Sequence, residues 1–579
     1  MIKQALTRFS FLASIILSGA TVTAAEPNKN DWLMSGSDHS NQRHSMLDQI
    51  TTENVADLKA VGFFPASTKG ARQQTTPVVI DGVIYFTVPN NQAVALDMNT
   101  GKTLWSYEYE IDWQKTALCC GTLNRGLAVQ GDKVFLSALN ATVIALDSKT
   151  GKELWKTPAS DIDSEDGYSY TMAPQVVGNK VIVGSAGGEY GIRGFVDAYD
   201  IETGEKCWRF WTVPSPEEGG WFGNWVEKTE RGDDLHRDIE KEKANKDKYP
   251  DAWKTGGGSV WTTPAYDAEL ELLYVGVGNP SPNLDDSVRP GDNLYTNSIV
   301  ALDINTGELK WYYQVTPHDR WDYDVASPLV LHDVKVGDHK VAAVSHASKS
   351  GWLYTLDRKT GKVITRSENF VPQKNLFASP TIEGINIAPG ARGGANWAAP
   401  SWSPKTDLFY LLALHLPMDF TLNPADRKSG VEWLGGEVIE KDDEKGYGIV
   451  SAISPETGKI IWEKKEKSWI WTGGILTTAG NVLFYPEPTG IVHALNAETG
   501  EELWTHETQV NIDGAPVTFM FKDKQFVLFT STKGLHFFAF PDVITPEEAE
   551  AIEKQKMLKA ESQGENVIDK NPETTNVEE

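Results

Sequence analysis

Three things are scarce in this 579-residue chain. Cysteine occurs three times, and never as Cys-x-x-Cys-His, which excludes a covalently attached c-type haem. Basic residues are outnumbered, 54 Lys and Arg against 80 Asp and Glu, for a net charge of −26. Such a chain repels phosphate backbones, so nucleic acid is excluded as a partner. Past the N-terminus no apolar run reaches transmembrane length, which excludes a stable membrane span. Disorder is excluded too, because 40% of the residues are hydrophobic and 10% aromatic.

The first residues read as a targeting segment. Lys3 and Arg8 form a basic start, Phe9 to Ser18 is apolar, and Thr23-Ala24-Ala25 offers a small-residue cleavage site. Residues 1–25 are therefore expected to be a signal peptide, and the mature protein to be exported, most simply to the periplasm. Losing Lys3 and Arg8 with this segment changes the net charge from −26 to −28. An oxidising compartment permits disulfides.

What the chain has in abundance is a repeat. It appears as ALDMNTGKTLW ending at Trp105, and again at Trp155, Trp208, Trp311, Thr365, Trp462 and Trp504. Each copy is an apolar strand, a Thr-Gly turn and a short strand closing on tryptophan. The turn glycines Gly101, Gly151, Gly204, Gly307, Gly361, Gly458 and Gly500 are spaced by 50, 53, 103, 54, 97 and 42 residues. Two further strands precede most copies, and four short strands per period is the propeller-blade pattern. The double-length gaps are blades with insertions, one at Pro214 to Gly258 with a helical stretch near Asp234 to Lys246, the other at Leu416 to Lys445. An eighth set of strands near the C-terminus lacks its Trp-bearing strand and is expected to borrow one from Lys59 to Ala66. This closes an all-β, eight-bladed propeller over residues 26–544 as a single domain, with a charged helical or disordered tail at 545–579.

Three features have no use in a blade. Cys119 and Cys120 are adjacent, either as a strained vicinal disulfide or as two free thiols. Cys207 has no partner in this scheme and is expected to be a buried small hydrophobe. Asp319, Asp322 and Asp324 crowd into TPHDRWDYD. Glu189 and Asn279 end otherwise apolar strands, and a carboxylate with an amide oxygen suits a hard cation such as calcium.

In order along the chain stand CCGTLNRG at 119–126, GGEYG at 187–191, GGGSVW at 256–261, GNPSP at 278–282, RPGDN at 289–293 and TPHDRWD at 316–322. With these motifs the chain resembles the pyrroloquinoline quinone (PQQ)-dependent alcohol dehydrogenases of methanol and ethanol dehydrogenase type, from about Asp31 to Asp542. The resemblance implies a Cys119–Cys120 disulfide on one face of the quinone and Trp261 on the other. Arg125, Thr171, Gly187, Gly188, Ser259, Asn396 and Trp397 fall where family members bind it. Glu189, Asn279 and Asp322 match the metal ligands, with Asp322 also the base and Lys349 beside the reactive carbonyl. The chemistry implied is oxidation of a primary alcohol to the aldehyde, as hydride passes to the metal-bound quinone. Asp324 resembles the extra carboxylate of lanthanide-using members, while Val325 after it resembles sugar-oxidising relatives with divalent metals, so calcium and a lanthanide both stay open. Gln74 stands where glutamate is common, Ala186 where serine is, and Trp471 is displaced by one position and is given no role. With no haem of its own, the chain is expected to pass electrons to a soluble cytochrome c. Its oligomeric state is open, a homodimer among the options. Two alternatives remain: a PQQ enzyme for sugars, polyols or polymers, and a non-catalytic exported scaffold like the outer-membrane assembly protein that shares the repeat. The scaffold leaves Cys119, Cys120, Glu189, Asn279 and Asp322 without a purpose.

Overall fold

The computed structural model describes residues 30–541, apart from 67, 69, 70, 163, 442 and 443. The expected signal peptide at 1–25 and the tail at 545–579 lie outside the described residues. Among those described, strands dominate and form eight four-stranded antiparallel sheets, one of which gains a short fifth strand. The first seven are each made of four strands in chain order, from Val78–Ile80 in the first to Glu502–Glu507 in the seventh. In the eighth, Val517–Phe521, Lys524–Ser531 and Gly534–Ala539 are joined by Lys59–Pro65, antiparallel to Gly534–Ala539. That is the loan expected from the sequence.

Apolar clusters join each sheet to the next. One packs Tyr85 and Ala95 of the first sheet against Leu136 and Ile144 of the second. Another packs Phe86 of the first sheet with Phe484 of the seventh and Phe529 of the eighth, so the series returns to its start. Inner strands such as Val83–Val88 and Thr142–Asp147 are buried along nearly their whole length on both faces, while outer strands such as Glu153–Pro158 alternate, and removal of these faces from water is the main force holding sheet to sheet.

The repeat phrase has a consistent local geometry. An Asp or Asn side chain bonds back to the turn that follows: Asp303 Oδ1 accepts from Asn305 and Thr306 backbone N–H at 2.9 and 3.1 Å, and Asn496 does the same for Glu498 and Thr499. The glycine closing the turn is left-handed, with φ of 74° at Gly307. The tryptophan ending one copy donates its indole N–H to the turn of the next. Trp105 bonds Ser148 O at 2.8 Å, Trp208 bonds Ile304 O at 3.0 Å and Trp462 bonds Ala497 O at 3.0 Å. The ring then lies on the turn glycine, where a Cβ would come within 2.6 Å of it at Gly307. In the copy that ends in Thr365, the hydroxyl takes over this job by donating to Glu456 O at 3.1 Å.

Both insertions fall where the spacing placed them. The first carries the helix Ile239–Asn245. The second supplies Met418–Leu422 and Gly436–Glu440, which pair with each other, and Met418–Leu422 also pairs with Ile385–Ile387 to complete a small accessory sheet. The chain between Asn30 and Ser45 was given no structure by its sequence. It runs across the innermost strands of several sheets, receiving backbone N–H bonds from Tyr266 at His39 O (2.8 Å), Leu331 at Ser40 O (2.8 Å) and Trp402 at Gln42 O (3.0 Å). Its Arg43 is buried, and burial lowers the guanidinium pKa to about 9. Backbone carbonyls of Ser35, Ile475 and Pro516 satisfy it.

Candidate active site

The residues singled out by sequence converge on one cavity of about 730 Å³. They reach it from loops between or within successive sheets. Cys119, Cys120 and Arg125 come from the connection between the first and second sheets, and Thr171 from the next connection. Gly187 and Glu189 come from a turn within the third sheet, and Ser259 and Trp261 from the approach to the fourth. Asp322 and Asp324 follow the fourth sheet, Lys349 lies within the fifth, and Asn396 and Trp397 precede the sixth. Gly188 and Asn279 are buried behind the wall instead of lining it; a Cβ on Gly188 would stand 3.2 Å from Ser259 Oγ and 3.9 Å from Asn279 O.

At one part of this cavity Lys349 is held between two carboxylates. Its ammonium lies 3.2 Å from Asp322 Oδ2 and 2.5 Å from Asp324 Oδ1. Burial works against that charge, but Asp322 and Asp324 outweigh it and raise the Lys349 pKa above the usual lysine value. Burial likewise pushes the Asp322 carboxyl well up, with Lys349 opposing and Asp324 adding to the shift. Burial, with Cys120 and Asp324, also pushes Glu189 up to about 7. Asp322 has a φ of 62°, a left-handed conformation that a non-glycine residue adopts only where its surroundings impose it. Asp319 does the imposing: fully buried and outside the cavity wall, it accepts the backbone N–H of Trp321 at 3.0 Å and of Tyr323 at 2.9 Å. It is therefore the acid that shapes the turn.

Trp261 spans from these acids to the cationic part of the cavity. Its indole N–H donates to Asp324 Oδ2 at 2.8 Å, and the Arg125 guanidinium lies 4.8 Å from its ring centroid. Arg125 donates to Thr171 Oγ1 at 2.9 Å, and burial lowers its pKa to about 10. Cys119 and Cys120 stand side by side at the cavity wall, their sulfurs 2.7 Å apart. Cys207 differs from expectation: it is exposed, because its short edge strand turns that side chain to solvent.

Sequence reasoning missed part of the wall. Trp471, left without a role, does line the cavity and meets Trp397 edge-on at 6.4 Å, while its neighbour Thr472 is buried and bonded to Ile512 O at 3.0 Å. Arg72, Arg392 and Asp513 also line it. Arg72 was visible in GARQQTTP, but its partner Asp513 is far away in sequence and no local pattern connects them.

The family model described as glucose/ethanol/alcohol dehydrogenase, beta-propeller domain, with PQQ as its name, matches residues 32–379. The quinoprotein alcohol dehydrogenase PedH of Pseudomonas putida (strain KT2440) is 35% identical over 554 residues, covering 90% of this chain and 91% of the relative. The chain belongs to the PQQ-dependent alcohol dehydrogenases. As a member of that family it is an oxidoreductase. The crystal structure of the quinohemoprotein alcohol dehydrogenase from Comamonas testosteroni superposes on it with a TM-score of 0.76 and 33% identity, over 88% of this chain and 80% of the other. A structure described as europium-containing methanol dehydrogenase gives a TM-score of 0.78 and 30% identity, over 89% and 98%. A second family model, the outer membrane protein assembly factor BamB, matches residues 446–539, a stretch that carries two copies of the repeat.

The cavity of this quinoprotein suits a polar, anionic aromatic group. Gln74 Oε1 and Arg125 Nε are buried with no hydrogen-bond partner among the described residues. Unpaired polar atoms of this kind in a cavity call for a ligand. Tryptophans 261, 397 and 471 offer flat faces, and Arg125 offers a fork for a carboxylate. For a metal the fit is incomplete: among the described residues, no three of the His, Cys, Asp and Glu side chains gather tightly enough to hold an ion. A cation here needs oxygen donors beyond Glu189, Asp322 and Asp324.

Proposed function

We propose that this chain is an exported PQQ-dependent dehydrogenase that oxidises a primary alcohol to its aldehyde and passes the electrons to a separate cytochrome c. The observation that carries the reading is the single cavity in which Lys349 bridges Asp322 and Asp324 while Trp261, fixed by Asp324, separates them from Arg125. Export rests on the 1–25 segment, and the separate acceptor on the lack of a haem-attachment motif. We read residues 26–544 as one eight-bladed propeller with docking tryptophans and 545–579 as an appended tail. The eight sheets, their serial packing and the indole bonds from each copy to the next support this, as does a cavity lined by loops from all around the series.

In this reading Arg125, Thr171, Ser259, Asn396 and Trp397 hold the cofactor, between Trp261 and the Cys119–Cys120 pair closed as a disulfide. Gly187 borders the cofactor space, and Gly188 acts from behind it, where a Cβ would press on Ser259 Oγ at 3.2 Å. When bound, PQQ supplies the acceptor for the α-hydrogen of the alcohol. Asp322 receives the hydroxyl proton: burial raises its carboxyl pKa and so strengthens it as a base, while the Lys349 ammonium 3.2 Å away opposes that rise. Lys349 also supplies fixed positive charge where negative charge grows. Glu189, Asn279 and Asp322 would hold the cation. With Asp324 the set carries three carboxylates, which balances a trivalent lanthanide charge for charge; calcium is the alternative that needs only the first three.

Asp322→Asn tests the assignment. Turnover should fall by about 10²–10⁴-fold, the usual contribution of a positioned base, while PQQ still binds with unchanged affinity in a spectroscopic titration. Turnover near that of the unsubstituted enzyme removes Asp322 from the chemistry.

A further inference from the structure

The cavity has more cationic equipment than its own acids use. Two guanidinium groups approach the Trp397 ring, Arg72 and Arg125, each 5.8 Å from its centroid. Arg125 has Thr171 Oγ1 and the Trp261 carbonyl as partners and no carboxylate among the described residues. Arg72 donates through Nε (3.2 Å) and Nη2 (2.8 Å) to the two oxygens of Asp513, a two-point clamp. Two cations facing one indole repel, and Arg72 is among the charges that lower the Arg125 pKa. Beside them Gln74 Oε1 is buried without a partner. A purely structural ion pair would need neither the second guanidinium nor an orphaned amide.

The charge layout gives this end of the cavity a direction. Carboxylates concentrate at Glu189, Asp322 and Asp324 around Lys349, and guanidinium groups concentrate beyond Trp261. A planar polycarboxylate with its carbonyls toward Lys349 would bring carboxylates to the arginines. Arg72 is placed to respond, since its side chain is 42% exposed while Asp513 is 7% exposed. The solvent-facing member of the pair is the arginine. A guanidinium fork binds any carboxylate with the same geometry, so Asp513 and a ligand carboxylate compete for one donor set.

We propose that Arg72 is a second carboxylate-binding guanidinium of the cofactor site, held by Asp513 until PQQ arrives and then shared with or transferred to a carboxylate of PQQ. The proposal rests on the reading of this cavity as a PQQ site.

The test uses the cavity tryptophans as reporters. PQQ is titrated into the purified full-length protein in the presence of calcium, and quenching of intrinsic fluorescence gives the affinity. Arg72→Gln should weaken binding about tenfold, the usual scale for losing a hydrogen bond to a charged group, and Arg72→Lys should recover part of the loss. Asp513→Asn should act in the opposite direction and tighten binding, because it removes the competitor. If Arg72→Gln binds PQQ as tightly as the unsubstituted protein, or if both the Arg72 and Asp513 changes weaken binding alike, the proposal fails and the pair is only structural. If the unsubstituted protein itself shows no quenching, the PQQ reading fails first.

Discussion

Glu487 stands one residue before Pro488 of the cavity wall and shows how single side chains tie the site to stability. Its carboxylate faces His493 Nε2 at 3.1 Å, Ser468 Oγ at 2.5 Å and Thr489 Oγ1 at 3.1 Å. The His493 bond leads these interactions, and together they hold the carboxyl at about 2 against an ordinary 4.5. A carboxyl depressed in the folded state stabilises above its unfolded value and loses that contribution as pH falls through the folded one. The window is therefore pH 4.5 down to 2, and the contribution is at most about 3 kcal/mol. Glu487→Gln should lower Tm at pH 6 and flatten the further fall of Tm between pH 4.5 and 2, relative to the unsubstituted protein. Parallel Tm-versus-pH curves would contradict this. At the same scale, Cys119, Cys120, Glu189, Asp322 and Asp324 were legible because their residue types have no use in a blade, whereas Lys349 was reached only through the family resemblance. Arg72 and Asp513 were not, since an arginine and an aspartate at separate turns look like solvated surface until the fold joins them. Trp471 failed for another reason: an offset of one position hid a ring that the connecting loop still turns inward.

Strands and turns were the easiest elements to read, because the repeat phrase encodes turn chemistry and indole contact together. Trp208 and Gly307 illustrate the coupling: the indole bonds Ile304 O at 3.0 Å, and the glycine's missing Cβ leaves room for the ring. Trp208→Ala should cost about 3–5 kcal/mol. Gly307→Ala should also destabilise, because a Cβ would meet the ring at 2.6 Å and φ is 74°. As both act on one contact, the double variant should lose less than the two singles combined in denaturant unfolding; strict additivity would contradict the contact. Thr365 shows the tolerance of the scheme, since a hydroxyl substitutes for the indole bond. The segment from Asn30 to Ser45 was illegible for a physical reason. It forms few strand pairs of its own, and its backbone is satisfied by sheets distant in sequence, so no local periodicity announces it.

At the scale of the whole molecule, closure and charge act together. The pairing of Lys59–Pro65 with Gly534–Ala539 joins the two ends of the series, and Trp504 adds a bond to Leu58 O at 3.2 Å. That closure holds the cavity loops, drawn from distant parts of the chain, at fixed mutual positions. The net charge of −26 gives the chain an acidic field. The account's central claim is that this body oxidises alcohols through PQQ. The most direct measurement is alcohol-dependent dye reduction by the purified protein with PQQ, run in parallel with lanthanum, with calcium and with chelator alone. Activity that requires PQQ and a metal is expected; a requirement for lanthanum would make Asp324 the added carboxylate, and activity with calcium alone would reduce it to a partner of Lys349 and Trp261. No activity with either metal, together with no PQQ binding in the visible spectrum, would contradict the account.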